Sequence, residues 1–175
     1  TEAIVESLAG EYVEVEVSNP LGKNIKARYG IIHGDTAVVE LAAAAGLTLI
    51  SEAERNPLYT TTFGVGEITL HALSSGCRKV ILGLGGSATN DGGCGMLRAL
   101  GFRFYDADKK ELITTIDTLE RVASVDASGV NPLLRDMELR VAVDVDNPLC
   151  GERGAAAVFA PQKGADAAMV ERLDR

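Results

Sequence analysis

Six glycines fall within the thirteen residues 83–95, which read Gly-Leu-Gly-Gly-Ser-Ala-Thr-Asn-Asp-Gly-Gly-Cys-Gly. They follow directly on Lys79-Val80-Ile81-Leu82, where apolar residues run without polar interruption, as in a strand covered on both faces. Glycine at this density removes the Cβ atoms that keep a ligand away from the backbone. A strand, a glycine-rich turn and a helix start make a cradle of N–H groups for a phosphate, with Gly85 and Gly86 at its centre. Ser87, Thr89 and Asn90 add donors, whereas Asp91 repels a bare anion and suits a magnesium ligand or a base facing a hydroxyl. The same residues also suit a tight turn in which Asp91 caps the next helix.

The loop matches a second pattern. Residues 83–88 fit the G-x-G-x-x-A form of the dinucleotide fingerprint, with Asp106 at a plausible distance for a ribose. That reading makes the chain a non-catalytic dinucleotide- or ligand-binding regulatory domain. The onset of the following helix separates the two: a start at Gly85 favours a dinucleotide, a start near Gly92 favours phosphoryl transfer. No Gly-Lys-Ser/Thr follows, so the loop is not a Walker A motif.

Around this loop the pattern is α/β. Residues 12–17 alternate apolar and charged, residues 25–32 and 36–40 continue as strands, and together they predict an antiparallel meander. Residues 41–46 suit a short helix closed by Gly46, and Thr61 or Thr62 caps a longer one reaching towards Gly76. Further helices are expected at 92–100, closed by Gly101, and at 155–160 and 167–175; further strands at 102–105 and, buried like residues 79–84, at 138–143. The expected fold is a single α/β domain over residues 1–175, its mixed sheet combining the N-terminal meander with buried strands that alternate with helices.

A second polar cluster, Asp144-Val145-Asp146-Asn147, follows the last of these strands. In an extended chain Asp144 and Asp146 point to the same side, an arrangement that suits magnesium or a hydroxyl; a solvated turn before Pro148 uses the same residues. Lys163 reaches a phosphate or stands free in its loop. Arg55 clamps a carboxylate in bidentate fashion or forms a surface ion pair. Glu40 is an edge charge, Cys94 a small packing residue, His33 a turn residue and His71 part of a helix face.

Charge narrows the partners. With 17 basic against 25 acidic residues the chain carries a formal charge of −8, and no Lys/Arg cluster exceeds a pair, which disfavours nucleic acid and anionic membranes. Cys77, Cys94 and Cys150 are scattered and odd in number, a pattern that disfavours disulfides and zinc and fits a reducing, cytoplasmic setting. The opening at Thr1 without methionine and the helical pattern running to Arg175 read as a piece of a longer protein.

Taken together, these segments resemble the bacterial glycerate kinases built from two α/β domains. The likeness is carried by Arg55-Asn56-Pro57-Leu58, Thr60-Thr61, Gly64-Val65-Gly66-Glu67, residues 83–95, residues 144–151 and Pro161-Gln162-Lys163-Gly164-Ala165. Asn19-Pro20-Leu21-Gly22 and residues 40–47 agree with it, so it covers nearly the whole chain. The resemblance implies ATP- and Mg2+-dependent phosphoryl transfer to a hydroxyl of D-glycerate, the 2-hydroxyl more often than the 3-hydroxyl. Asp91 would stand nearest the chemistry as base or metal ligand, with Asp144 as a second catalytic and metal-binding acid. Arg55 would take the glycerate carboxylate, joined by Asn90, Asp146 and Asn147. Gly85, Gly86, Ser87, Thr89 and Lys163 would hold the nucleotide phosphates. Three departures stand out: Cys94 where the family has a small residue, Ala160 where it has glycine, and no glycine pair in residues 112–119. Family members are longer at both ends, so the chain is expected to be the central lobe, weakly active or inactive without the missing domain.

Overall fold

The structure, a computed structural model, describes residues 1–174. In chain order its elements are α1 (Glu2–Ser7), β1 (Glu11–Ser18), β2 (Asn24–Ile32), β3 (Thr36–Glu40), α2 (Ala42–Ala45), α3 (Phe63–Ser74) and β4 (Lys79–Gly83). There follow α4 (Cys94–Ala99), β5 (Arg103–Tyr105), α5 (Ile116–Leu119), β6 (Ser124–Asp126), β7 (Glu138–Ala142), α6 (Ala155–Phe159) and α7 (Ala167–Leu173). Short 3-10 turns sit between them, among them Pro161–Lys163.

Five strands form one sheet in the order β1-β2-β3-β4-β7. The first three pair antiparallel, as the alternation of residues 12–17 implies, and β4 and β7 then join in parallel. The sheet is therefore mixed, and the meander supplies its antiparallel half. β5 and β6 form a separate antiparallel pair.

The main core lies between one sheet face and α3. Val17, Tyr29, Val39, Val80 and Leu82 from the strands meet Val65, Ile68, Ala72 and Leu73 from the helix. His71, on the same helix, pairs its Nδ1 with the Tyr29 hydroxyl at 3.0 Å, which gives this buried phenol a partner. The opposite face carries only a small cluster, Val5 of α1 with Ile32 and Val38, against which Ile81 packs. No helix among the described residues is long and apolar enough to cross a membrane.

Three sequence expectations change. β7 is not buried: all five of its residues are exposed, because it sits at the sheet edge with β4 as its one strand partner among the described residues. Apolar composition marks a strand but does not say whether anything covers it. Gly46 closes α2 as expected, in an extended conformation with φ −84° and ψ 152°, and pairs with Ser87 across a bridge. The last helix closes at Leu173, short of the expected residue 175, and Arg175 lies outside the described residues. The helix after the glycine loop starts at Cys94, two residues later than expected.

α3 reaches its neighbours because it lacks side chains where they touch. A Cβ on Gly66 would stand 2.5 Å from the Met96 carbonyl oxygen and 2.6 Å from the Ala99 Cβ, so α3 and α4 meet there backbone against backbone. Alanine has the better helix propensity by about 1 kcal/mol. Gly66→Ala should nonetheless lower stability by about 1–3 kcal/mol, the usual cost of overpacking. Urea unfolding reads this directly, and a midpoint at or above wild type would show that α4 can move away without cost.

Candidate active site

The parallel strands β3, β4 and β7 run in register, Glu40 beside Gly83 and Gly83 beside Ala142. Their carboxyl ends therefore open onto one edge of the sheet, where ligands bind in α/β proteins. The glycine loop leaves β4 there, and the Asp144 segment leaves β7. A cavity of about 390 Å³ at this edge is lined by Glu40, Gly83, Gly85 and Ala142, among others.

The loop is fastened at several points. Leu47 N–H donates to Gly86 O at 2.9 Å and Ala88 N–H to Ala45 O at 2.8 Å, tying it to the end of α2. Its strongest anchor is Asp91, 1% exposed. Asp91 Oδ2 accepts from Thr62 N–H (2.8 Å), the Thr62 hydroxyl (2.9 Å), Gly95 N–H (3.1 Å) and the Thr61 hydroxyl (3.4 Å). Its Oδ1 accepts from Gly93 N–H at 3.1 Å. Thr62 Oγ1 in turn accepts from Met96 N–H at 2.9 Å. One carboxylate thus gathers the starts of α3 and α4. Both its oxygens are committed to the protein, so a role for Asp91 as base or metal ligand needs one of these donors to let go.

Thr62 does precede α3 as expected, but its hydroxyl serves Asp91 and not its own helix. The run Thr60-Thr61-Thr62 is the feature that sequence reasoning undervalued. Thr60, fully buried, donates from its hydroxyl to Ala88 O at 2.9 Å. Three consecutive β-hydroxyl residues facing a glycine loop were the available signal.

Lys163 closes the loop from the other side. It is 7% exposed and donates to Thr89 O at 2.6 Å. It therefore does not stand free in its loop. Burial pushes its pKa down to about 8, against the pull of the nearby Asp91 charge. Gly164 follows with φ +94°, and a Cβ there would lie 2.3 Å from Arg55 O, so this turn wedges against the Arg55 backbone. Arg55, Lys163, Thr89 and Asn90 consequently share one neighbourhood. Two side-chain atoms in it, Arg55 Nε and Asn90 Oδ1, are buried without a hydrogen-bond partner. The Arg55 ion pair with Glu52 is long, 3.9 Å.

Asp144 and Asp146 are exposed, and neither has a side-chain partner among the described residues. Asn147 Nδ2 donates to Arg153 O at 2.9 Å, which folds the segment back on itself. Among the described residues no three His, Cys, Asp or Glu side chains are grouped to hold a metal ion. Magnesium needs fewer, since it is commonly bound through one or two carboxylates together with substrate phosphates. Asp144 and Asp146 fit that requirement as hard oxygen donors.

The dinucleotide reading loses its discriminating feature. α4 starts at Cys94 rather than at Gly85. Asp106 Oδ1 closes its own turn, accepting from Asp108 N–H (3.1 Å) and Lys110 N–H (2.9 Å). A larger groove of about 740 Å³ runs beside β1, β2 and α1, but its cations Lys26 and Arg28 are already paired with Glu14 and Glu2.

The sequence profile of the glycerate kinase family matches residues 1–175. The chain is 48% identical over 175 residues to a glycerate kinase of Bacillus subtilis (strain 168), covering 99% of this chain and 46% of the relative. It is 46% identical over 174 residues to a glycerate 2-kinase of Escherichia coli (strain K12), with the same coverage. A crystal structure assigned to glycerate kinase 2 of Salmonella typhimurium LT2 superposes with a TM-score of 0.94 at 49% identity, again covering 99% of this chain and 46% of that one. The chain thus spans about half the length of the proteins it matches.

Two outcomes follow for the anchors. Asp91→Asn keeps the shape but turns one acceptor into a donor facing donors, and should lower stability by about 3 kcal/mol in urea unfolding; a loss below about 1 kcal/mol would mean the clasp contributes little. Lys163, with its folded pKa depressed to about 8, binds fewer protons folded than unfolded between that pH and the ordinary lysine value of about 10.4. Its charge therefore costs stability below pH 8, and the cost fades as pH rises through this window. Relative to Lys163→Met, the wild type should gain up to about 3 kcal/mol between pH 8 and 10.4, a difference that parallel unfolding curves for the two proteins would resolve.

Proposed function

Since the chain belongs to the glycerate kinase family, we propose that it is the lobe of an ATP- and Mg2+-dependent glycerate kinase that receives D-glycerate and the transferring phosphate. The observation that carries this reading is the pair of unpartnered buried atoms, Arg55 Nε and Asn90 Oδ1. One is a cationic donor suited to a carboxylate and the other an acceptor suited to a hydroxyl. A hydroxy acid supplies both complements at once.

In the proposed reaction the glycerate hydroxyl oxygen forms a bond to the terminal phosphorus of ATP, and its proton passes to an oxygen of the transferring phosphoryl group and from there to water. The bond from that phosphorus to the bridging oxygen breaks, and ADP leaves. The name of the Escherichia coli relative favours the 2-hydroxyl as acceptor. Such transfer passes through a loose transition state and depends mainly on positioning and charge neutralisation rather than on a strong base. The amides of Gly85, Gly86, Ser87 and Thr89 would position the phosphates, with Lys163 neutralising charge beside them. Asp91 would act by holding the loop in shape. Asp144 and Asp146 would hold Mg2+, which neutralises phosphate charge when bound, and Asn147 would line the hydroxyl side.

The other half of the site belongs, on this reading, to a second domain. A pocket between lobes is a common arrangement, and half of one positions substrate poorly. Turnover of the chain with MgATP and D-glycerate is therefore expected to be very low while glycerate binding persists.

The test is side-chain NMR. D-Glycerate should shift the Arg55 Nε–H and Asn90 amide signals, and glycerol, which lacks the carboxylate, should leave Arg55 Nε–H unmoved. Arg55→Gln should weaken glycerate binding by roughly tenfold or more, as loss of a charged hydrogen bond does. No shift of either signal with glycerate would sink the reading.

A further inference from the structure

Two successive carbonyls of the glycine loop are each held by a side chain from outside it. Ala88 O accepts from the Thr60 hydroxyl and Thr89 O from the Lys163 ammonium, at 2.9 Å and 2.6 Å. The peptide unit is planar and trans, with its N–H directed opposite its C=O. Fixing the carbonyls of Ala88 and Thr89 therefore fixes the N–H groups of Thr89 and Asn90, on the sides of their peptide planes away from Thr60 and Lys163. Neither N–H has an acceptor among the described residues, whereas the preceding amide, Ala88 N–H, is spent on Ala45 O. Thr89 is only 6% exposed. Main-chain donors in such surroundings are almost always paired, and consecutive free amides beside a glycine turn form an anion-binding concavity.

We infer that the main-chain N–H groups of Thr89 and Asn90 receive an oxyanion beside the amides of residues 85–87, and that Thr60 is the positioning residue that aims them. The inference rests on the proposed function and deepens it. Thr60 never touches the ligand; it acts through the peptide whose carbonyl it holds. The ligand is a phosphoryl oxyanion, borne either by ATP or by the phosphorylated product.

The experiment is an amide NMR titration of the chain with MgATP and, separately, with 2-phosphoglycerate, on wild type, Thr60→Val and Thr60→Ser. Valine keeps the β-branched shape and removes the hydroxyl; serine restores the hydroxyl. In wild type the Thr89 and Asn90 amides should shift with at least one of the two probes, and the probe that moves them identifies the source of the oxyanion. Thr60→Val should weaken that probe's binding by roughly tenfold, and Thr60→Ser should return it to within about threefold of wild type. Weaker binding of the probe by Thr60→Val at a temperature where it is as fully folded as wild type separates aiming of the amides from a loss of stability. Unchanged binding in Thr60→Val overturns the inference. So do shifts confined to residues 85–87, an outcome that leaves the kinase reading intact. Silence throughout residues 83–95 with both probes overturns the inference and the nucleotide assignment together. Should Thr60→Val fail to fold, the wild-type amide shifts and the Thr60→Ser affinity decide.

Discussion

A buried carboxylate organises this end of the molecule. Asp91 is surrounded by donors that have no better acceptor: two hydroxyls, two amides from its own loop and the amide of Thr62. Removing such a charge from water is costly, and the cost is offset only where hydrogen bonds replace hydration. The positions of α3 and α4 follow from that requirement, since both begin within reach of the same carboxylate. Gly66 completes the arrangement by allowing the two helices to meet without intervening side chains.

The loop that Asp91 anchors is glycine-rich but not slack. It is bonded to the end of α2, to the threonine run and to Lys163. Glycine here supplies access to the backbone, and rigidity comes from neighbours. That division reconciles an overall charge of −8 with the anionic ligands of the proposed function. On that proposal the attraction would depend not on the field of the whole protein but on a few oriented donors, with Lys163 and Arg55 supplying positive charge locally.

Much of this was legible in the sequence, and the remainder was hidden for identifiable reasons. The alternation Tyr12-Val13-Glu14-Val15-Glu16-Val17 specified a strand with one wet face, and the meander followed from it. The glycine loop announced its place at a strand end through the apolar run before it. The burial of Asp91 was not legible, because an acid between asparagine and glycine resembles any solvated turn, and the threonine that claims it lies 29 residues earlier. Lys163 was ambiguous for the same reason: its acceptor, Thr89 O, is 74 residues away in the chain. Burial of β7 was misread because aliphatic composition reports what a strand would like to cover, and says nothing of what lies beside it.

The exposed edge at β7 governs how the chain behaves in company. Leu139 and Val141 lie on it, and Val143 and Val145 continue the aliphatic series, all four exposed. An unpaired strand edge of this kind is a template for further β-pairing, and proteins ordinarily blunt it with charge. Here the blunting amounts to Glu138 and Arg140, which neutralise each other across 2.6 Å. In the chain by itself the net negative charge opposes such pairing, most at low ionic strength and progressively less as salt screens it.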